Sequence, residues 1–303
     1  MQGRQVKIEP AKRQSDSTSV QECWIEIEGQ KMRYVQTGAG PPLLLVHGLL
    51  GGLFCWRFNV PAFAKHFTVY AVDLPGSGLS KALPETDCGM QKQAERLLQF
   101  IDRLQLENVN VVAVSYGGAV ALFLAARDAQ EKRSRVRAMV LAAPVNPWSK
   151  FSSGRIRFLS TTLGGCLLRL AIPFSRPLHQ VALRRMYGDP KRIQQGTAKE
   201  YARLITPPGI ILSLLNTLRS WRRNVEALRA AIPEIKIPVR LVWGTRDGAV
   251  DQRSCAILQQ HLKDSSLVEL PGVGHLSIEE APEEFNRMVL EFLLNPERSE
   301  GTL

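Results

Sequence analysis

Chemistry in this chain starts at a serine placed on a corner. In "VNVVAVSYGGAVALFLAA", Val109–Ala126, a run of β-branched apolar residues gives way to an alanine-rich helical pattern, and Ser115 sits at the junction. Small residues two positions before and after a nucleophile let such a strand-to-helix turn close and expose the hydroxyl at its apex. Ala113 and Gly117 hold those places, with Gly118 beyond; Ala113 stands where glycine is more usual and adds one methyl. A hydroxyl attacks poorly until a base takes its proton and a carboxylate orients that base.

Five histidines compete for the role of base. His66 and His179 lie in helical or loop context, and His261 ends a polar helix. His47, in "VHGLLGG", is read as structural, holding its glycine-rich loop. His275, in "LPGVGHLSIEEAP", directly follows a strand in a loop that reaches the same end of a sheet as Ser115, and it is the candidate base. For the acid, "VRAMVLAAPV" is followed by no carboxylate before Asp189, so that strand end supplies none. Asp247 follows "RLVWG" and precedes His275 by 28 residues. Asp251 is its rival but belongs to the start of the next helix, and Asp73, in "DLPGSG", pins its own turn. The oxyanion of an acyl-transfer intermediate needs two backbone N–H donors. Tyr116 supplies one at a helix N-terminus, whose dipole favours negative charge, and Leu49 of "HGLLGG" the other.

The elements that position these residues follow from short apolar runs alternating with helical patterns, which imply a parallel sheet flanked by helices. "CWIEIEG" and "KMRYVQTG" form an opening hairpin; "PPLLLVHG" and "FTVYAVDLPGSG" are strands; "MQKQAERLLQFIDRL" is a helix. The elbow strand, its helix and "VRAMVLAAP" follow. After Asn146 the alternation stops for about ninety residues of basic, helical sequence broken by Pro and Gly. It resumes with "IPVRLVWGTRD", a helix around Ser254–Leu262, the strand "SSLVELPGVGH" and a final helix over Pro282–Leu294.

With 303 residues and 45% hydrophobic content, the chain can bury one large core with an inserted subdomain. Five scattered cysteines without a CxxC exclude a disulfide framework or zinc site and fit a reducing compartment. Residues 1–20 are polar, carry no signal-peptide core and read as a disordered tail. "FLSTTLGGCLLRLAIPF", Phe158–Phe174, is the most apolar stretch, too short and too broken to span a bilayer. The net charge is +11, and Asn146–Lys236 alone carries +12. This segregation admits an anionic membrane surface or an acidic carrier protein as partner, and nucleic acid is not expected.

"HGLLGG", "DLPGSG", "VSYGG", "GTRD" and "GHLSIEEAP", in this order, resemble the α/β-hydrolase superfamily, in its cap-bearing serine esterase branch, from about Cys23 to Leu294. The resemblance implies a mostly parallel eight-stranded sheet with flanking helices, a core in two parts (21–145 and 237–303) and a helical cap over 146–236. It also implies the chain order Ser115, Asp247, His275. Haloalkane dehalogenases and epoxide hydrolases place Asp at the nucleophile, commonly followed by Trp, where this chain has Ser115-Tyr116. Meta-cleavage C–C hydrolases usually carry Trp after the catalytic His, where this chain has Leu276, and the GGSWG-like elbow of proline iminopeptidases is missing. The expectation is a cytoplasmic serine carboxylic-ester hydrolase for small to medium acyl chains, working without cofactor or metal. A C–C bond hydrolase, a lactonase and a non-catalytic receptor with an intact triad are the alternatives. Phe54, Trp56, Trp148 and Phe151 serve either an apolar acyl pocket or core packing.

Overall fold

The computed structural model describes residues 20–83, 85–149, 154, 158–159, 161–170, 175–207 and 209–295. The expected tail, Phe151 and parts of the Phe158–Phe174 stretch lie outside the described residues. Eight strands form one sheet: β1 (Gln21–Ile27), β2 (Gln30–Thr37), β3 (Pro42–Val46), β4 (Thr68–Val72), β5 (Val109–Val114), β6 (Val136–Ala142), β7 (Val239–Gly244) and β8 (Ser265–Leu270). Their spatial order is β1-β2-β4-β3-β5-β6-β7-β8. β2 runs antiparallel to β1 and β4, and every other pairing is parallel. The β1–β2 hairpin turns through Glu28 and Gly29, both at positive φ (52° and 71°), the geometry that matches the twist of paired strands.

β5 is buried at all six positions because helices cover both faces of the sheet, and such strands read as unbroken apolar runs. Alternate residues face opposite layers. Leu44, Val46, Val111 and Ala113 pack with helices α2 (Met90–Arg103) and α3 (Tyr116–Glu131). Leu43, Leu45, Val112 and Val114 pack with Phe63 of the short α1 (Val60–Phe63) and with Phe285 and Phe292 of the C-terminal helix.

Among the described residues, the longer helices between β6 and β7 are α4 (Thr162–Leu170), α5 (Ser175–Met186), α6 (Thr197–Ile205) and α7 (Ile210–Ala231). The last of these rests on the core. Trp221 of α7 stacks on Tyr116 with ring centroids 6.2 Å apart, and the Asn224 side chain accepts from the Gln91 N–H at the start of α2 (2.9 Å). Beyond β7 come α8 (Arg253–His261), then β8, then α9 (Ser277–Glu280) and α10 (Pro282–Leu294). α8 begins and ends one residue earlier than the sequence pattern suggests. The four-residue α1 and α9 escape that pattern altogether, since one turn is too short to show a period of 3.6.

The chain leaves β3 for β4 on one side and then crosses to β5 on the other. In open α/β sheets, the strand ends at such a reversal leave a crevice where ligands bind. Ser115 follows β5, and the loop of Leu49 follows β3.

Candidate active site

Ser115 has φ 55° and ψ −120°, a region L residues rarely adopt. Its backbone is held there from both sides. Its N–H donates to Ala142 O (2.9 Å), and its carbonyl accepts from Gly118 N (2.9 Å) and Val145 N (3.0 Å). Gly117 allows the closure: a Cβ there would stand 2.4 Å from His47 O and 2.6 Å from Val46 O. Tyr116 opens α3, so its N–H has no intrahelical acceptor. Its phenol is turned away and donates to Cys88 O at 2.7 Å.

The loop after β3 closes with Gly51 N–H donating to Gly48 O (3.0 Å) and Leu50 at φ 57°. Gly48 lies against the nucleophile: a Cβ on it would be 3.3 Å from Ser115 Cβ. The N–H groups of Leu49 and Tyr116 find no acceptor among the described residues. His47 fixes this loop from below. Leu74 N–H donates to its Nε2 (3.0 Å), which leaves the proton on Nδ1 to be donated to Gly48 O (2.8 Å). Full burial pushes the His47 pKa down, against the pull of Asp73, so the ring stays neutral. Asp73 accepts from Leu53 N (2.7 Å) and Leu79 N (3.0 Å) and so ties its own turn to the segment after the loop.

His275 Nδ1 and Asp247 Oδ2 are 2.9 Å apart, with both side chains buried. Asp247 Oδ1 accepts from Ala249 N (2.7 Å) and Val250 N (2.9 Å). With Asp247 as acceptor, Nδ1 carries the proton and Nε2 is left with its lone pair. Asp251 is engaged elsewhere, its Oδ1 accepting from Arg253 N (3.0 Å) at the start of α8.

Glu280 and Glu279 brace the loop that carries His275, and sequence reasoning did not single them out. Glu280 accepts from Gly274 N (2.7 Å), Gly188 N (3.0 Å) and Asp189 N (2.8 Å). It thereby joins the His275 loop to the turn after α5, where His275 N–H also donates to Met186 O (2.6 Å). Gly274 has no room for a side chain, since a Cβ would lie 2.2 Å from Met186 O. Glu279 pairs with Arg57 (2.7 Å) and accepts from the hydroxyls of Tyr187 (3.3 Å) and Tyr201. Burial pushes the Glu279 carboxyl up, while Arg57 and the tyrosines pull it down without cancelling the rise. The adjacent "EE" in "GHLSIEEAP" was the available signal, but its partners are remote in sequence.

A cavity of about 130 Å³ opens between these parts. Ser115, His275 and Leu49 all line it, with Leu50, Leu183, Met186 and Leu276 forming an aliphatic wall. His179 and Tyr201 form one polar patch, their rings stacked with centroids 6.4 Å apart. Cys55 also lines the cavity, and burial pushes its thiol up, which keeps it protonated and unreactive. Of the aromatic residues named from sequence, the three that are described pack elsewhere. Trp56 is fully buried in the core, Phe54 stacks edge-on against Tyr201 (5.6 Å), and Trp148 packs on His261 (4.2 Å). His66 is exposed. Among the described residues no cluster of His, Cys, Asp and Glu could hold a metal ion.

Comparison with known proteins places this geometry in context. A family model described as the alpha/beta hydrolase fold matches residues 41–282. The chain is 25% identical to haloalkane dehalogenase 2 of Mycobacterium tuberculosis over 287 residues, covering 88% of this chain and 93% of that protein. It is 27% identical to the pimeloyl-[acyl-carrier protein] methyl ester esterase of Nitrosomonas europaea over 252 residues, covering 82% and 94%. The crystal structure of Cfl2 from Burkholderia cenocepacia superposes with a TM-score of 0.78 at 21% identity, covering 89% of this chain and 95% of that one.

Proposed function

The chain belongs to the α/β-hydrolase fold family, and from that premise we propose that it is a serine hydrolase of carboxylic esters with small to medium acyl chains. One observation carries the reading: Asp247 and His275 form a buried pair beside the cavity into which the strained Ser115 elbow opens. The apolar lining supports an apolar acyl group, and the cavity volume favours a short one. Similarity to a methyl ester esterase supports ester chemistry. Serine at the elbow counts against the aspartate-dependent reaction of the haloalkane dehalogenase group, despite the sequence similarity to a member.

In the proposed mechanism His275 Nε2 takes the Ser115 proton as Oγ attacks the ester carbonyl. Asp247 holds the imidazole by Nδ1 and balances the cation that forms. The N–H groups of Leu49 and Tyr116 receive the oxyanion, aided by the positive end of α3. Collapse expels the alcohol, protonated by His275, and leaves an acyl ester on Ser115. Water, deprotonated by the same His275, then releases the acid and restores the serine.

The test is Ser115→Ala, assayed on p-nitrophenyl esters from acetate to palmitate beside lactones and a meta-cleavage dienone. Loss of the nucleophile lowers kcat by roughly 10⁴-fold or more with the melting midpoint unchanged, and a fluorophosphonate labels Ser115 of the wild type only. A variant that kept most of its activity on a short-chain ester would overturn the assignment. Labelling without turnover of any ester would make the protein a receptor, and turnover of the dienone or lactones alone would move the reaction class.

A further inference from the structure

α5 has apolar side chains on two opposite faces. Leu183 and Met186 on its inner face line the cavity together with His179. On its outer face Leu178 and Val181 are 52% and 51% exposed. A helix that only walled a cavity would turn polar residues to water. α4 repeats the anomaly more strongly. Leu163, Leu167 and Leu170, spaced to share one face, are 63%, 48% and 71% exposed, while Gly165 packs inward against Leu215 of α7. With Phe158, six of the eleven exposed large hydrophobic residues among those described fall between positions 158 and 181. Single exposed leucines are ordinary, but rows of them along two neighbouring helices in sequence mark an interaction surface.

The charge around these rows states what the surface meets. From Lys132 to Tyr187 the sequence holds no Asp or Glu. Arg184 and Arg185 are exposed in the last turn of α5, and Lys191 and Arg192 are exposed just beyond it. Apolar rows bordered by cations are the pattern of helices that lie in the headgroup layer of an anionic membrane. An anionic bilayer answers both features at once, its headgroups meeting the cations and its acyl chains the leucine rows. No helix among the described residues is long and apolar enough to cross a bilayer, so such contact is peripheral.

We propose that the outer faces of α4 and α5 dock on the surface of a bilayer containing anionic phospholipid. Ala182, next to Val181 and one turn on from Leu178, is exposed and also lines the cavity. On the ester-hydrolase reading, on which this second step rests, the substrate is an ester carried in the bilayer that enters from the docked face.

Co-sedimentation of the full chain with phosphatidylcholine vesicles, with and without one third phosphatidylglycerol, tests the docking. Ser115→Ala protein is used so that turnover plays no part. The expected result is pelleting with anionic vesicles at low ionic strength, weakening near 1 M salt, where the Debye length falls to about 3 Å. Arg184→Ala with Arg185→Ala lowers the partition coefficient about 30-fold, at about 5-fold for each cation near the surface. Leu167→Asp with Leu170→Asp abolishes pelleting. Both pairs, returned to the Ser115 background, keep wild-type activity on a soluble short-chain ester, which shows that they fold. Docking is overturned by no pelleting with anionic vesicles at low salt, by equal pelleting with neutral ones, or by indifference to both pairs. Capture of an acidic carrier protein without vesicle binding overturns it in favour of a protein partner. Vesicle binding without turnover of any ester leaves docking in place and overturns only the ester reading.

Discussion

Holding Ser115 at φ 55° and ψ −120° costs of order 1–3 kcal/mol in a residue with a Cβ. Bonds to Ala142, Gly118 and Val145 on its two sides hold it there, so the strain is sustained by the sheet and serves to expose the hydroxyl. Asp247 is defined in the same way, by three acceptor contacts, of which only one reaches His275. Asp247→Asn retains acceptors for Ala249 and Val250 but offers His275 an N–H where it needs an oxygen. The imidazole then turns to the tautomer with its proton on Nε2 and can no longer act as base. Activity on a short-chain ester falls on the order of 10⁴-fold while the fold persists. Asp251→Asn is nearly silent, because asparagine accepts from the Arg253 N–H two residues on as well as aspartate does. Steady-state kinetics of the two variants decide between them, and the reverse result would transfer the acid's role to Asp251. Ser115, Asp247 and His275 stand out in the sequence because each lies within five residues of a strand end, at Val114, Gly244 and Leu270. Phe54, Trp56 and Trp148 stay undecided there between pocket and core, because an aromatic side chain serves both equally well and residue type does not separate the two.

At the scale of elements, the site depends on how the α5–α6 region is pinned to the loop after β8. Glu279 on α9 gathers Arg57 from the segment before α1, Tyr187 just past α5 and Tyr201 on α6. This cluster is invisible in sequence, since α9 is one turn long and its partners are remote. Its energetics are testable because Glu279 has no exposed side-chain surface whereas Arg57 keeps about a fifth of its own. Arg57→Met strands a buried carboxylate and costs about 3–5 kcal/mol. Adding Glu279→Gln removes the stranded charge, and its amide oxygen accepts from one tyrosine while its NH2 donates to the hydroxyl of the other, so the double variant recovers at least half of that loss. The loss also depends on pH in a definite direction. Burial already raises Glu279, and without Arg57 the carboxyl rises further. Above the ordinary carboxylate value the folded variant then holds a proton that the unfolded chain has released, and its stability falls as pH rises. Chemical denaturation at about pH 5 and about pH 8 should show the larger Arg57→Met penalty at the higher pH. A penalty equal at both, or undiminished in the double variant, would show that the pair contributes no charge coupling.

Across the whole molecule, the sheet is where sequence and structure agree most closely. β3, β5, β6 and β7 are mostly apolar and largely buried, and their alternation with helices dictates a parallel sheet almost without reference to individual contacts. The helices between β6 and β7 are less legible, because their apolar residues divide between cavity, core and solvent and so blur the amphipathic period. Leu183 and Leu178 on α5 look alike in sequence, and only the fold separates the one that lines the cavity from the one that faces water. Charge divides along the same line: Asn146–Lys236 carries +12, and the remainder is nearly neutral. The exposed pairs that offset it, Arg222–Glu226 (3.0 Å) and Arg203–Glu200 (3.7 Å), are of a kind worth about 0–1 kcal/mol each. Net self-repulsion within this segment therefore works against the folded state at low ionic strength. Raising sodium chloride should stabilise the free protein: screening about 1 kcal/mol of repulsion lifts the melting midpoint by about 1–2 °C. The same rise with potassium chloride identifies screening as the cause. A midpoint that fell with salt would mean that ion pairs such as those of Arg135 with Asp128 and Glu131 outweigh the repulsion, and that the basic segment is not a source of strain in the fold.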